Sequence, residues 1–298
     1  MISYGILAGF LAATFQCIAY IMYRSYKEKH ASSTFKFFVY THVIMGLICG
    51  IILPFIWTDK VPPFASFRWH LFFVCGTFLL GQLCMINALK SEDSSKISPL
   101  LSFKILILVC ISLLFLGKSY SPGQYCAVAF CFGSGLLLNK ISGELGFKAM
   151  MLTLGACLFF TLSDIAIPKF AKLVSDLPVI HNLFFTTIIS YVCCGVLVLP
   201  FLFISGKGTK QLWKDAIPYS LTWLPAMLCL FASLIFLGPV YANIVQSSRG
   251  VIAILIGGLL ATWGYTHLET KTSNTVLIKR VVAAIMISLA VIGFNLFQ

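Results

Sequence analysis

Acidic residues are scarce in this chain. Aspartate and glutamate together number 9 in 298 residues, against 21 lysines and arginines, and charged residues of all kinds make up 10%. Soluble domains carry about 25%. The shortage counts against catalysis, because general acid–base chemistry needs a positioned acid and base and the 5 histidines are dispersed. No histidine–cysteine spacing suits a metal, so no metal and no cofactor are expected and the chain reads as no enzyme. The 11 cysteines fall mostly inside apolar stretches, where cysteine packs as a small hydrophobe, and neither a disulfide framework nor a zinc pattern emerges. Linkers and low-complexity segments are also missing. The net charge of +12 is scattered through short loops, as retention of positive loops in the cytoplasm produces, and nucleic acid is not an expected partner.

What the chain has in abundance is apolar sequence. Hydrophobic residues make up 59%, and mean hydropathy is +0.97 over the full length. Nothing is left over for a sizeable soluble domain. Ten stretches have spanning length: 2–23, 35–57, 67–89, 97–116, 121–139, 147–168, 179–204, 214–237, 240–262 and 276–297. About 20 residues at 1.5 Å rise cross ~30 Å of hydrocarbon. Continuous apolar runs, rather than alternating runs of about ten residues, exclude a membrane β-barrel. The expected fold is therefore an all-α membrane protein with ten transmembrane helices and the lipid bilayer as its surroundings. The first stretch has no basic region before it and no small-residue cleavage site, and reads as a retained helix.

The stretches repeat. CGIILPF (49–55) returns as CGVLVLPF (194–201), and Leu83-Cys84 returns as Leu228-Cys229. SPLLSFKILILVCISLLFLG (98–117) aligns with NIVQSSRGVIAILIGGLLAT (243–262), placing Lys104 opposite Arg249 at an offset of 249 − 104 = 145. These matches imply two five-helix repeats, 1–143 and 144–298. An odd number of helices per repeat makes the second copy enter from the opposite face, so the repeats are expected to be inverted, with a midplane site between them. A charge at the bilayer centre costs about 3 kcal/mol on insertion scales. A sequence carrying two at matched places is expected to use them. Loops after odd-numbered segments hold most Lys and Arg, from Arg24 to Arg280, while the other face holds Lys60, Arg68, Lys118, Lys169 and Lys172. Both termini are therefore expected outside the cytoplasm, with a bacterial inner membrane as the default location.

Lys104 and Arg249 are the first candidate ligands for substrate. Each could instead snorkel or pair internally, but the planar fork of arginine suits carboxylate or phosphate. Gln246 shares a helical face with Arg249, and Asn243 continues that stripe. Ser247 precedes the arginine, and Ser102 matches it in the first half. Tyr241, Gln82, Asn87, Gln16 and His42 are further candidates. Polar residues also join helices to one another, and that is the bland reading of this whole set. Asp164, in FTLSDIAIPKF, is an interfacial acid, a coupling group or a counter-ion for Arg249. Small residues such as Gly46 and Gly50 allow close helix approach. Trp57, Trp69 and Trp263 read as interfacial anchors, and the other aromatics as lipid-facing or core bulk.

Ten helices, two repeats and the passages ISPLLSFKILILVCISLLFLGKSYSPGQY (97–125) and ANIVQSSRGVIAILIGGLLATW (242–263) resemble the drug/metabolite transporter superfamily in its EamA-like branch. The resemblance covers the whole chain. It departs from the family's frequent Gly-Glu at the end of the fourth helix, where this chain has Gly117-Lys118, and Glu269 is a displaced counterpart in the second half. It implies a secondary transporter of small metabolites. In plastid sugar-phosphate exchangers, basic residues on the fourth and ninth helices hold phosphate, and Lys104 and Arg249 fall on the matching helices. The expected function is alternating-access transport of a small anionic metabolite, as an exchanger if the empty site is net positive. The alternative is export of amino acids or other neutral or zwitterionic metabolites. The partners expected are a small-molecule substrate and lipid, with the chain a monomer or a homodimer.

Overall fold

A computed structural model describes residues 1–30, 34–92, 97, 100–101, 103–115, 117–142, 146–205, 208–262 and 274–297. The described residues form helices and no strand. In chain order these are α1 (Ile2–Lys29), α2 (Thr34–Ile56), α3 (Phe64–Ser91), α4 (Phe103–Phe115), α5 (Pro122–Ser142), α6 (Phe147–Leu173), α7 (Val179–Val198), α8 (Phe201–Ser205), α9 (Lys210–Leu237), α10 (Pro239–Gln246), α11 (Arg249–Thr262) and α12 (Asn274–Leu296). Seven segments among the described residues are long and apolar enough to cross a membrane, α10 and α11 counting as one. The described part of α4 is shorter, at 13 residues.

Two departures from the expected ten segments have local causes. The stretch 179–204 divides where Pro200, lacking an amide hydrogen, separates α7 from α8. The stretch 240–262 divides at Ser247-Ser248 into α10 and α11. Here the chain tightens, with Ser248 N–H donating to Val245 O at 3.2 Å and Gly250 N–H to Ser247 O at 3.1 Å. Such i, i−3 bonds inside a helix mark hinges and strained sequence. The corner from α9 into α10 uses Gly238 at φ 78, a left-handed conformation that glycine adopts without a Cβ clash. Pro239 then sits in the first turn of α10, where its missing donor goes unnoticed.

The broadest helix packings are α1 on α9, α3 on α6, α2 on α7 and α5 on α12. Buried apolar side chains gather in two clusters. The larger draws on α1, α2, α3, α6, α7 and α9. The smaller joins α4, α5, α10, α11 and α12. Without a hydrophobic drive between helices in lipid, backbones must approach closely for dispersion to hold them. Gly46 and Gly195 do this for α2 and α7: a Cβ on Gly46 would meet the Gly195 Cα at 2.7 Å. Gly50, by contrast, has nothing within 4 Å of where a Cβ would stand.

The outer surface carries large apolar side chains such as Leu47, Ile51, Phe55 and Phe203. Burying one such side chain is worth about 1.5–3 kcal/mol relative to leaving it in water. A belt of them belongs in hydrocarbon, and the protein is an integral membrane protein. Trp57 and Trp69 stand exposed beside the ends of α2 and α3, as anchors would. Trp263 lies outside the described residues.

Candidate substrate cavity

The two apolar clusters meet at a polar seam. A small cavity of about 30 Å³ lies there, lined from both halves of the chain. Its charged members are Lys104, Asp164 and Arg249. Lys104 is the second residue of α4 and Arg249 the first residue of α11. A cation withdrawn from water is costly unless oxygen acceptors or negative charge surround it. Each needs negative charge nearby, and the two are served differently.

Lys104 is buried, and its Nζ lies 2.5 Å from Asp164 Oδ2. Asn243 Nδ2 donates to the same oxygen at 2.7 Å and to Pro239 O at 2.8 Å. The Phe160 ring lies 5.6 Å from Lys104 Nζ. Arg249 has no carboxylate partner among the described residues. One arm of its guanidinium, Nη1, donates to the neutral Gln16 Oε1, and its Nε has no protein acceptor. The backbone at Arg249 is tied to α1 by Cys17 Sγ, 3.3 Å from the Arg249 carbonyl. Gln246, the last residue of α10, donates to Gly9 O at 3.1 Å and lines the same cavity.

The candidates divide. Lys104, Arg249, Gln246, Asp164 and Gln16 line the cavity. Asn243 stands behind it, holding Asp164. Asp164 pairs with Lys104 and not with Arg249. Ser247 turns away: its Oγ bonds Ile244 O at 2.5 Å and accepts from Cys131 Sγ at 2.8 Å. Tyr241 packs on Phe294 at 5.4 Å between ring centres, its hydroxyl unpartnered. Asn87 bonds back to Leu83 O at 2.8 Å and His42 to Phe38 O at 2.8 Å. Gln82 is fully buried, with neither side-chain polar atom hydrogen-bonded. None of these five lines the cavity. Ser102, Ser98 and Glu269 lie outside the described residues.

Aromatic residues were the missed contributors. Tyr20, Phe78, Phe160 and Trp223 form much of the wall, where bulk packing had been the expectation. Trp223 is held by its Nε1–H bond to Tyr191 OH at 2.9 Å and by stacking on Tyr219. The spacing carried a signal: Gln16 and Tyr20 are i, i+4, Phe160 and Asp164 likewise, each pair sharing one helix face.

Residues 3–140 match the EamA-like transporter family. The match covers somewhat under half of the chain, the first of the two expected repeats, and places that part with the EamA-like transporters of the drug/metabolite transporter superfamily. The chain is thus a membrane transporter of small molecules, in a family of transporters rather than enzymes. No curated protein matches it. Among solved structures, one crystal structure of a protein superposes with a TM-score of 0.66 at 14% identity, covering 100% of both chains. That likeness is one of fold.

Proposed function

We propose that this transporter moves a small organic anion bearing phosphate or carboxylate, by alternating access of two inverted five-helix repeats, 1–143 and 144–298. One observation carries the choice of anion. Of the two cations at the cavity, Lys104 is neutralised by Asp164, whereas Arg249 is held by a neutral amide and retains donors without protein acceptors. A cavity lined by a guanidinium that has no carboxylate partner among the described residues favours a negatively charged oxygen ligand. Gln246 supplies a second polar contact, and Tyr20, Phe78, Phe160 and Trp223 wall the same cavity.

The helix pairing supports the repeats. Exchange the first five sequence segments for the second five, taking α10 and α11 as one. The packing of α1 on α9 then becomes that of α6 on α3, while α2 on α7 and α5 on α12 map onto themselves. The charge bias of the loops supports placing both termini outside the cytoplasm of a bacterial inner membrane.

A second reading rests on Asp164, the carboxylate facing the same cavity as Arg249. With Tyr20, Phe78 and Trp223 near it, an ammonium group would find both a carboxylate and aromatic faces, and the cargo would be a zwitterion such as an amino acid. The expectation of exchange rested on a net positive empty site. With Lys104 paired to Asp164 that charge falls from two to one, which weakens the drive for exchange without removing it.

A thermal-shift screen of the purified protein against anionic, zwitterionic and cationic metabolites decides between these. Stabilisation by anions, lost in Arg249→Ala, is the expected result. Stabilisation by zwitterions alone selects the second reading, and stabilisation by cations alone rejects both.

A further inference from the structure

Resting on the anion reading above, we propose that Asp164 couples transport to protons: a substrate monoanion displaces Asp164 from Lys104, and Asp164 takes up a proton as the anion binds.

Lys104 and Arg249 line one cavity with Asp164. Asp164 Oδ2 already occupies the position that an anionic oxygen would take on Lys104, at 2.5 Å. It is an internal stand-in for substrate. An anion that bridges both cations must remove it. Asp164 is then left in a buried site with only the Asn243 amide to support its charge. A carboxylate stripped of its cation in an apolar wall neutralises rather than remain charged. The proton comes from the aqueous side that the site faces when the anion enters and bonds a carboxylate oxygen. No other covalent bond changes, and the proton leaves when the anion departs and Lys104 re-pairs.

The other titratable groups around this cavity do not compete for the role. From α4 comes Lys104, from α11 Arg249 and from α1 Tyr20, with the Cys17 thiol behind it at Arg249 O. On α6 itself Cys157 turns its thiol to Leu100 O at 3.7 Å. The linings contributed by α3, α9 and α10 are uncharged. The coupling also keeps the site's charge constant. Empty, two cations and one carboxylate leave one positive charge. Loaded with a monoanion and a proton on Asp164, one positive charge again remains. The two forms that must reorient therefore meet similar desolvation costs, which permits net transport.

Purified protein in liposomes loaded with a pH dye tests this, with labelled lactate and glycerol 3-phosphate as probes. Wild-type protein is expected to accumulate a transported monoanion about tenfold per unit of inward acid gradient, with one proton entering per anion. Asp164→Asn, which keeps the shape and removes the charge, is expected to lose gradient-driven accumulation, and any anion that it still moves enters without a proton. Wild-type uptake without proton entry, or an Asp164→Asn protein that still concentrates the anion on a pH gradient, overturns the coupling and leaves the anion reading standing. Failure of the wild-type protein to transport either probe overturns both. The dye measurement needs no variant and stands even if Asp164→Asn does not fold.

Discussion

Lys104 and Arg249 occupy equivalent places in the sequence and unlike places electrostatically. Both line the cavity at the polar seam. Lys104 is buried against Asp164, which Asn243 holds from behind. Arg249 is less buried and leans on Gln16. One cation is balanced by a carboxylate of the protein; the other has no carboxylate partner among the described residues. Matched positions in the sequence therefore do not imply matched surroundings, because the groups around each cation come from different helices. Lys104 draws on α6 and α10, whereas Arg249 draws on α1.

The comparison breaks most sharply at Lys104. Lys104→Met strands Asp164, and removing one partner of a buried ion pair costs about 3–5 kcal/mol. Thermal unfolding in detergent should show the loss, and Lys104→Met combined with Asp164→Asn should recover most of it. If Lys104→Met alone is as stable as wild type, the pairing is not what holds Lys104. Arg249→Met should do the reverse. Its fold should persist, while anion affinity falls on the order of 100-fold, the worth of a charge-assisted contact of about 2–3 kcal/mol. Equal destabilisation by both substitutions would erase the distinction between the two cations.

The supporting amides sharpen the contrast at smaller scale. Asn243→Ala removes one hydrogen bond to Asp164 and should lower stability by about 1–2 kcal/mol. Gln16→Ala should change stability less and weaken anion binding several-fold, since it frees the guanidinium that it orients; titration of both variants with the best ligand from the screen separates the effects. The smallest effect is expected at Gln82, whose buried amide has no hydrogen-bond partner. Gln82→Leu should leave transport unchanged and stability the same or slightly higher, because an unsatisfied polar group is replaced by an apolar one.

Much of this is legible in the sequence. The apolar runs, the loop charges and the offset between Lys104 and Arg249 pointed to a helical membrane transporter with a central cationic site, and the family match supports that class. Gln246 and Gln16 were readable as polar groups on otherwise apolar faces. The division of α10 from α11 was not, because neither glycine nor proline marks it: Ser247-Ser248 tightens the turn instead. Tyr20, Phe160 and Trp223 looked like bulk because an aromatic residue has the same sequence signature in a core, at lipid and in a cavity wall.

The partition between sequence and tertiary structure follows from range. Hydropathy and helix period are local properties, so the chain alone determined that it would be helical and embedded in lipid, and that its buried charges would be few. Which charge meets which is a matter of helix packing across the seam between the two clusters. Asp164 lies five residues from Lys169 in sequence, yet its ion pair is with Lys104, on another helix. Only the packing of α4, α6 and α10 decided that Asp164 neutralises one cation and leaves Arg249 facing the cavity.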